Sequence, residues 1–342
     1  VQMAMGTAAN ESVRYPMPLL CSSFERGELE TAVAAVEDPD LRNIARAEAF
    51  YFTARPEEAF DAAGPYLQSD DPALRLSACF ICAYASLSLD RPIAAKKYLM
   101  ELRSLKVEML SGAPQTRAAY VLLATASAVL LHLDPSFTEA DLAAAMRNLP
   151  EGLALFASDV QAHRAYFHGE HGRSIGIAEN ALAMARHSYP ISEQFLHLVA
   201  AMGWISLKDV GRARDHFEQA WAIAAADDLI EEIGEHHGLL QGVMEMCLKE
   251  AHPAEFARVV KVTYRFSYGW RRIHNPESGE DVADDLTTTE FTMAMLACRD
   301  WSNDEIARHM GVSRGTVKNR LSSVYAKLGI GGRAELARYM LR

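Results

Sequence analysis

Cysteine is scarce: the 342 residues include five, at Cys21, Cys79, Cys82, Cys247 and Cys298. An odd number at scattered spacings is no disulfide framework and points to a reducing compartment, the cytoplasm. Cys79 and Cys82 have C-x-x-C spacing, but no second pair completes a zinc site, and the surrounding run SACFICAYASL reads as a buried helix. Alternation of period two is almost absent before Leu286, which argues against a sheet-built body. The longest apolar run, around Tyr120–Leu133, is shorter than the ~20 residues a bilayer span needs, and no basic-then-apolar signal opens the chain, so no membrane partner is expected. The first residue is Val1, which implies a non-ATG start or a missing N-terminal piece.

Catalytic signatures are missing too. There is no G-x-x-x-x-G-K-[ST] phosphate loop, no G-x-G-x-x-G after a strand, no H-E-x-x-H and no G-x-S-x-G, so neither an enzyme nor a cofactor is expected. His163, His168 and His171 are spaced by five and three, poorly placed to share a helix face; groove lining or a solvated helix end is the reading preferred over a metal site. The adjacent His236 and His237 point apart on a helix. Tyr264, Phe266, Tyr268 and Trp270, spaced by two, would spread around a helix as an interface or capping element, with a ligand platform as the second reading.

What is present divides by charge. The chain carries a net −11. Leu286–Arg342 holds nine Lys/Arg against five Asp/Glu, so its excess is positive while the first 285 residues are strongly acidic. An acidic body repels polyanions; the C-terminal end attracts them.

The body shows Ala-rich helical patterning broken at RGEL, ARPEE, LDRP, DPSF, EHGR and KDVGR. A small residue follows each break: Ala32, Ala59, Ala95, Ala140, Gly176 and Ala213, at an irregular period near thirty-six. Paired antiparallel helices crossing closely at small residues would give that pattern. In AMGWISLKDVGRARDHFEQAWAIAAADDL, Ala213, Phe217 and Ala220 occupy the Ala, Phe and Ala positions of a tetratricopeptide repeat, which this unit resembles. The alternative is a plain helical bundle. A repeat array would expose a concave groove for a small ligand, peptide or protein, with Tyr166, His168 and Trp204 as candidate lining residues. NPESGEDVADD, residues 275–285, has turn residues, five acids and no apolar face, and reads as an interdomain linker.

The last segment is legible residue by residue. Thr287 with Glu290, and Ser302 with Glu305, form capping-box spacings that start two helices. Gly311 supplies a turn, and Ser313 is placed to cap a third helix. Together these make a helix-turn-helix. On the third helix Val317, Leu321, Val324 and Leu328 form an apolar stripe, while Gly315, Lys318, Asn319, Ser322 and Ala326 face the other way with Arg314, Arg320 and Lys327 as flanks. Small groups permit close approach to a major groove, Lys and Asn reach base edges, and flanking cations meet phosphates. The alternative is a solvated charged face on a structural helix.

Over Leu286–Met340 the sequence LTTTE, SNDEIARHMGVSRGTVKNRLSSVYAKLGI and RAEL resembles the LuxR-type (GerE-type) DNA-binding domain. The resemblance implies four helices, base reading by Lys318, Asn319 and Ser322, and phosphate contacts from Ser313, Arg314, Thr316, Arg320 and Lys327. It also implies a dimer contact on the last helix, at Leu336, Ala337 and Met340. Asp304 stands where the family has a basic residue, Asp300 where it has glycine, and Arg320 where it has histidine. The layout is similar to maltose-regulator-like activators, which place tetratricopeptide-like sensors before the same DNA reader; their ATPase module finds no phosphate loop here.

The expected protein is all-α: a tetratricopeptide-like helical-hairpin solenoid over 1–274, an acidic linker over 275–285, and a four-helix domain over 286–342. It would be a cytoplasmic regulator binding double-stranded DNA as a homodimer. The rival is a protein-interaction scaffold whose DNA-binding domain has degenerated.

Overall fold

The computed structural model describes residues 14–131, 133, 135–274 and 286–339; the expected acidic linker and Met340 lie outside them. Every regular element among the described residues is helical. The body runs through α1 (Pro18–Cys21), α2 (Leu29–Ala35), α3 (Pro39–Phe52), α4 (Pro56–Ala63), α5 (Pro72–Ser88), α6 (Pro92–Ser104), α7 (Lys106–Ser111) and α8 (Pro114–Val129). It continues with α9 (Glu139–Met146), α10 (Glu151–Phe167), α11 (His171–Met184), α12 (Pro190–Ser206), α13 (Val210–Asp227), α14 (Glu231–Leu240), α15 (Val243–Leu248) and α16 (Pro253–His274). No helix of the described residues is long and apolar enough to cross a membrane.

Proline punctuates the array because its missing N–H costs nothing at a helix start. Asp38 and Asp71 precede Pro39 and Pro72, and each accepts two backbone amides as N-cap. The returns between paired helices repeat one geometry. Ala54, Asp90, Gly169 and Lys208 all take positive φ, and each donates its amide to the carbonyl three residues back. The next residue donates five back: Arg55 to Phe50, Arg91 to Ser86, Glu170 to Ala165 and Asp209 to Trp204. Four equivalent turns use four different residues, only one of them glycine. The turn thus recurs in backbone conformation without recurring in sequence.

The small-residue pattern needs correcting in two hairpins. Ala59, Ala95 and Ala213 are fully buried at helix crossings as expected, but Ala140 and Gly176 face solvent. In the α11–α12 pair the close approach is made by Gly203, where an added Cβ would lie 2.6 Å from Ile175. Cys79 and Cys82 sit buried in α5 as free thiols, each pushed up to about 12 by burial.

The end of the body returns to its beginning. Helix α16 packs on α5 and α6, and Asp227 accepts the amides of Gly27 and Leu29. Phe266 faces inward and Tyr264 outward, as on a helix that packs against the body by one face. A buried polar seam lies beneath it. Arg265 pairs with Glu231 at 2.9 Å, Tyr51 donates to Glu235, and His163 contacts Asp159 at 3.0 Å and His236 at 3.1 Å.

Candidate nucleic-acid interface

The C-terminal unit comprises α17 (Thr288–Cys298), α18 (Asn303–His309), α19 (Arg314–Lys327) and a 3-10 turn at Arg333–Arg338. Both capping boxes form as spaced: Thr287 with Glu290, and Ser302 with Glu305. Ser313 caps α19 by accepting the Thr316 amide at 3.0 Å. Gly311 makes the turn between α18 and α19 at φ 64°. Asp300 adopts φ 60°, a left-handed conformation that Asp tolerates better than most residues and glycine better still.

Val317, Leu321, Val324 and Leu328 are all buried, with Ile306 and Ala307 of α18 packed into the same core. The opposite face of α19 is open. Ser313, Arg314, Gly315, Thr316, Lys318, Asn319, Arg320, Ser322 and Ala326 are exposed. Among the described residues the side chains of Lys318, Asn319 and Arg320 reach no hydrogen-bond or ion-pair partner. Ser322 donates back to the Lys318 carbonyl at 3.0 Å, and the Ser313 and Thr316 hydroxyls meet at 2.9 Å. Asp304 lies 3.6 Å from Arg314, so a carboxylate sits beside one candidate phosphate contact.

Lys327 is placed differently from the other cations. Its ammonium lies 2.8 Å from Glu290, whose side chain is only 3 % exposed and which also accepts from Ser323, the Thr287 amide and the Thr287 hydroxyl. Burial works to raise the Glu290 carboxyl, but these donors outweigh it and hold it down at about 2. Glu290 thereby ties the start of α17 to the end of α19.

The expected dimer stripe is also partly diverted. Leu336 is fully buried against its own domain, because a single 3-10 turn packed on α17 must use its one large apolar side chain to close the core. Ala337 is half-buried.

The body holds this unit from the α17–α18 side. Lys208 pairs with Glu305 at 3.1 Å and lies over the Trp301 ring. His309 donates from Nε2 to the Gln241 carbonyl at 2.7 Å. Gly242, at φ 89°, allows Met310 and His309 to approach so closely that an added Cβ would meet them at 2.8 and 3.0 Å. Arg299 stacks on Tyr166 and donates to Ser206. Nothing in the sequence pattern announced this contact, because its residues lie on opposite sides of the chain's main charge boundary and share no periodicity.

The three proposed groove residues do not line one cleft. Tyr166 is buried at the junction with the DNA-binding unit. Trp204 donates to Glu179 at 2.9 Å and lies under Arg212. His168 is exposed at the end of α10, bonded to the Arg164 carbonyl. A surface cleft of about 650 Å³ lies elsewhere, between α9, α10 and α11. Among the described residues no cluster of three or more His, Cys, Asp or Glu side chains is arranged to hold a metal.

Residues 284–340 match the family of bacterial regulatory proteins of the luxR type (GerE). The chain is 39 % identical over 54 residues, 16 % of its own length, to a protein of Hyphomicrobium methylovorum described as "Probable transcriptional regulatory protein SgaR". The matched part covers 26 % of that relative. No solved structure matches the chain. The C-terminal unit is a luxR-family DNA-binding domain.

Proposed function

We propose that this chain, built on a luxR-family DNA-binding domain, is a sequence-specific transcriptional regulator whose helical-repeat body responds to a ligand or partner. Lys318, Asn319 and Ser322 read bases in the major groove of double-stranded DNA. Ser313, Arg314, Thr316 and Arg320 contact phosphates. The protein acts in the cytoplasm, as a homodimer on DNA, because one short helix reads few base pairs and paired half-sites need two copies.

The observation that carries the reading is a division of faces. The body grips α17 and α18, while the polar face of α19 stays exposed, with Lys318 and Arg320 in no ion pair among the described residues. A degenerate domain under no such demand would have no reason to keep that face small, polar and open. The scaffold reading draws support from Asp304, which offsets Arg314.

Gel shifts on genomic fragments, across salt, test this directly. Lys318→Ala and Asn319→Ala are expected to reduce discrimination among sequences by ~1–3 kcal/mol per lost base contact, with helix content unchanged. If Lys318→Ala alters neither affinity nor sequence preference, the outer face of α19 is not the reading face.

A further inference from the structure

The junction between body and DNA-binding domain contains a cation with no anion. Arg299 follows directly on α17, and its Nη1 donates to the Ser206 hydroxyl at the end of α12. Its Nε and Nη2 are both buried and have no hydrogen-bond partner. No carboxylate lies within ion-pair distance among the described residues. These two nitrogens form one edge of the guanidinium and point their hydrogens in parallel, the arrangement that takes a carboxylate or phosphate side-on. An unmatched charged edge held away from water is costly, which makes its persistence informative.

The surroundings are built from the same kind of group. The Tyr166 ring lies 5.1 Å from the Arg299 guanidinium and 5.2 Å from the His171 ring. His171 Nδ1 is buried and also without a partner. The Ser206 hydroxyl donates to the Met202 carbonyl at 2.8 Å, lies 3.4 Å from the Tyr166 hydroxyl and accepts from the Gln241 amide at 3.2 Å. Burial first, and then Arg299, hold His171 below the usual imidazole range, as expected beside an uncompensated positive charge.

We propose that this junction binds a small oxyanion, a carboxylate- or phosphate-bearing metabolite, held side-on by Nε and Nη2 of Arg299 with His171 as a second donor from the body. The proposal rests on the regulator reading and gives the responding body a ligand class and a place. Neither Arg299 nitrogen has accessible surface, so an anion reaches them only when the DNA-binding domain shifts on the body. Binding therefore discriminates between two positions of that domain, which is the requirement for a ligand to move the equilibrium between them.

The test uses the full chain, titrated separately with inorganic phosphate and with acetate at constant ionic strength set by sodium chloride. Thermal unfolding is followed, together with the intrinsic tryptophan fluorescence, to which Trp301 at the junction contributes as one of four tryptophans. The expected result is a saturable rise in Tm, on the order of 2–5 °C, with one or both anions. Phosphate alone would mark a phosphorylated ligand, and acetate alone a carboxylate. The rise should vanish in Arg299→Gln and persist in weakened form in Arg299→Lys, which keeps the charge without the fork. His171→Gln offers an independent variant should Arg299→Gln fold poorly, and a smaller rise is expected there. A Tm that follows chloride as closely as either anion overturns the proposal, as does a rise undiminished in both Arg299→Gln and His171→Gln. Gel shifts on the same samples separate the two claims. Anion binding that depends on Arg299, in a protein that binds no DNA fragment, leaves the site standing and removes the regulator reading. DNA binding without any anion response does the reverse.

Discussion

Lys327→Met should weaken the DNA-binding domain itself more than its grip on DNA. The Lys327 ammonium lies 2.8 Å from a Glu290 carboxylate that is 3 % exposed, while the lysine side chain is 32 % exposed. A fully buried pair broken from one side costs ~3–5 kcal/mol, and an exposed pair ~0–1 kcal/mol. This pair lies between, with Glu290 keeping its bonds to Ser323 and Thr287, so ~1.5–3 kcal/mol is expected. Hydrogen exchange on the full chain reads that loss locally. Amides of α17 and α19 should exchange ~10–100-fold faster, at tenfold for each ~1.4 kcal/mol, while those of α5 and α12 keep their rates. The loss should shrink in a Glu290→Gln background, since the charge Lys327 answers is gone. A phosphate contact predicts the opposite pattern: unchanged exchange, and a slope of log affinity against log salt shallower by ~0.9. That second pattern would refute the anchoring role.

Two further outcomes follow from the electrostatics. Asp304→Asn releases Arg314 from its neighbour, so affinity for all DNA sequences should rise together, roughly 3–10-fold at low salt, with a steeper salt dependence; a rise confined to one sequence in gel shifts would contradict it. Glu48 in α3 is buried and pushed up to about 8 by desolvation, against the Leu19 and Leu20 amides that donate to it. The folded chain therefore holds a proton there that the unfolded chain releases near its ordinary value, about 4.3. The stability from this group is complete below that value and is lost as pH rises through about 8. Tm should fall between pH 6 and pH 8.5, and less so in Glu48→Gln; parallel curves for the two proteins would show that Glu48 does not titrate in this range.

How much of this could be read from the sequence depends on whether the signal was local. The capping boxes, the Gly311 turn and the stripe of Val317, Leu321, Val324 and Leu328 are set by spacings of three and four residues, and all four features hold. The outward placement of Lys318, Asn319 and Ser322 follows from the same geometry. The hairpins were harder. Their common turn demands a backbone conformation rather than a residue type, so Ala54, Asp90, Gly169 and Lys208 give no shared letter. Ala140 and Gly176 were small without being buried, because smallness at a crossing can be supplied by either partner, and in one pair Gly203 supplies it. The aromatics of α16 marked it as an interface or capping helix, but which helices it meets lay out of reach for a different reason. Tyr51 with Glu235, and Arg265 with the Ala54 carbonyl, join helices far apart in the chain, and a lone acid on a helix looks the same whether solvent or a buried partner awaits it.

The same limit explains why the surroundings of Lys327 and Arg299 could not be read from their positions in the sequence. On a helical wheel Lys327 is a flanking cation, and a flanking cation beside a groove-reading face suggests phosphate. The buried Glu290 that claims it stands 37 residues earlier, at a position that looked fully occupied by its capping box. Arg299 follows a buried helix and carries no periodic signal, yet among the described residues its buried Nε and Nη2 have no anion. A charge acquires its role from what the fold places opposite it. Here, among the described residues, the fold gives the half-buried Lys327 a carboxylate and the buried edge of the Arg299 guanidinium none, so DNA contact is expected of Lys318 and Arg320 on α19, and a small anion of Arg299 at the junction.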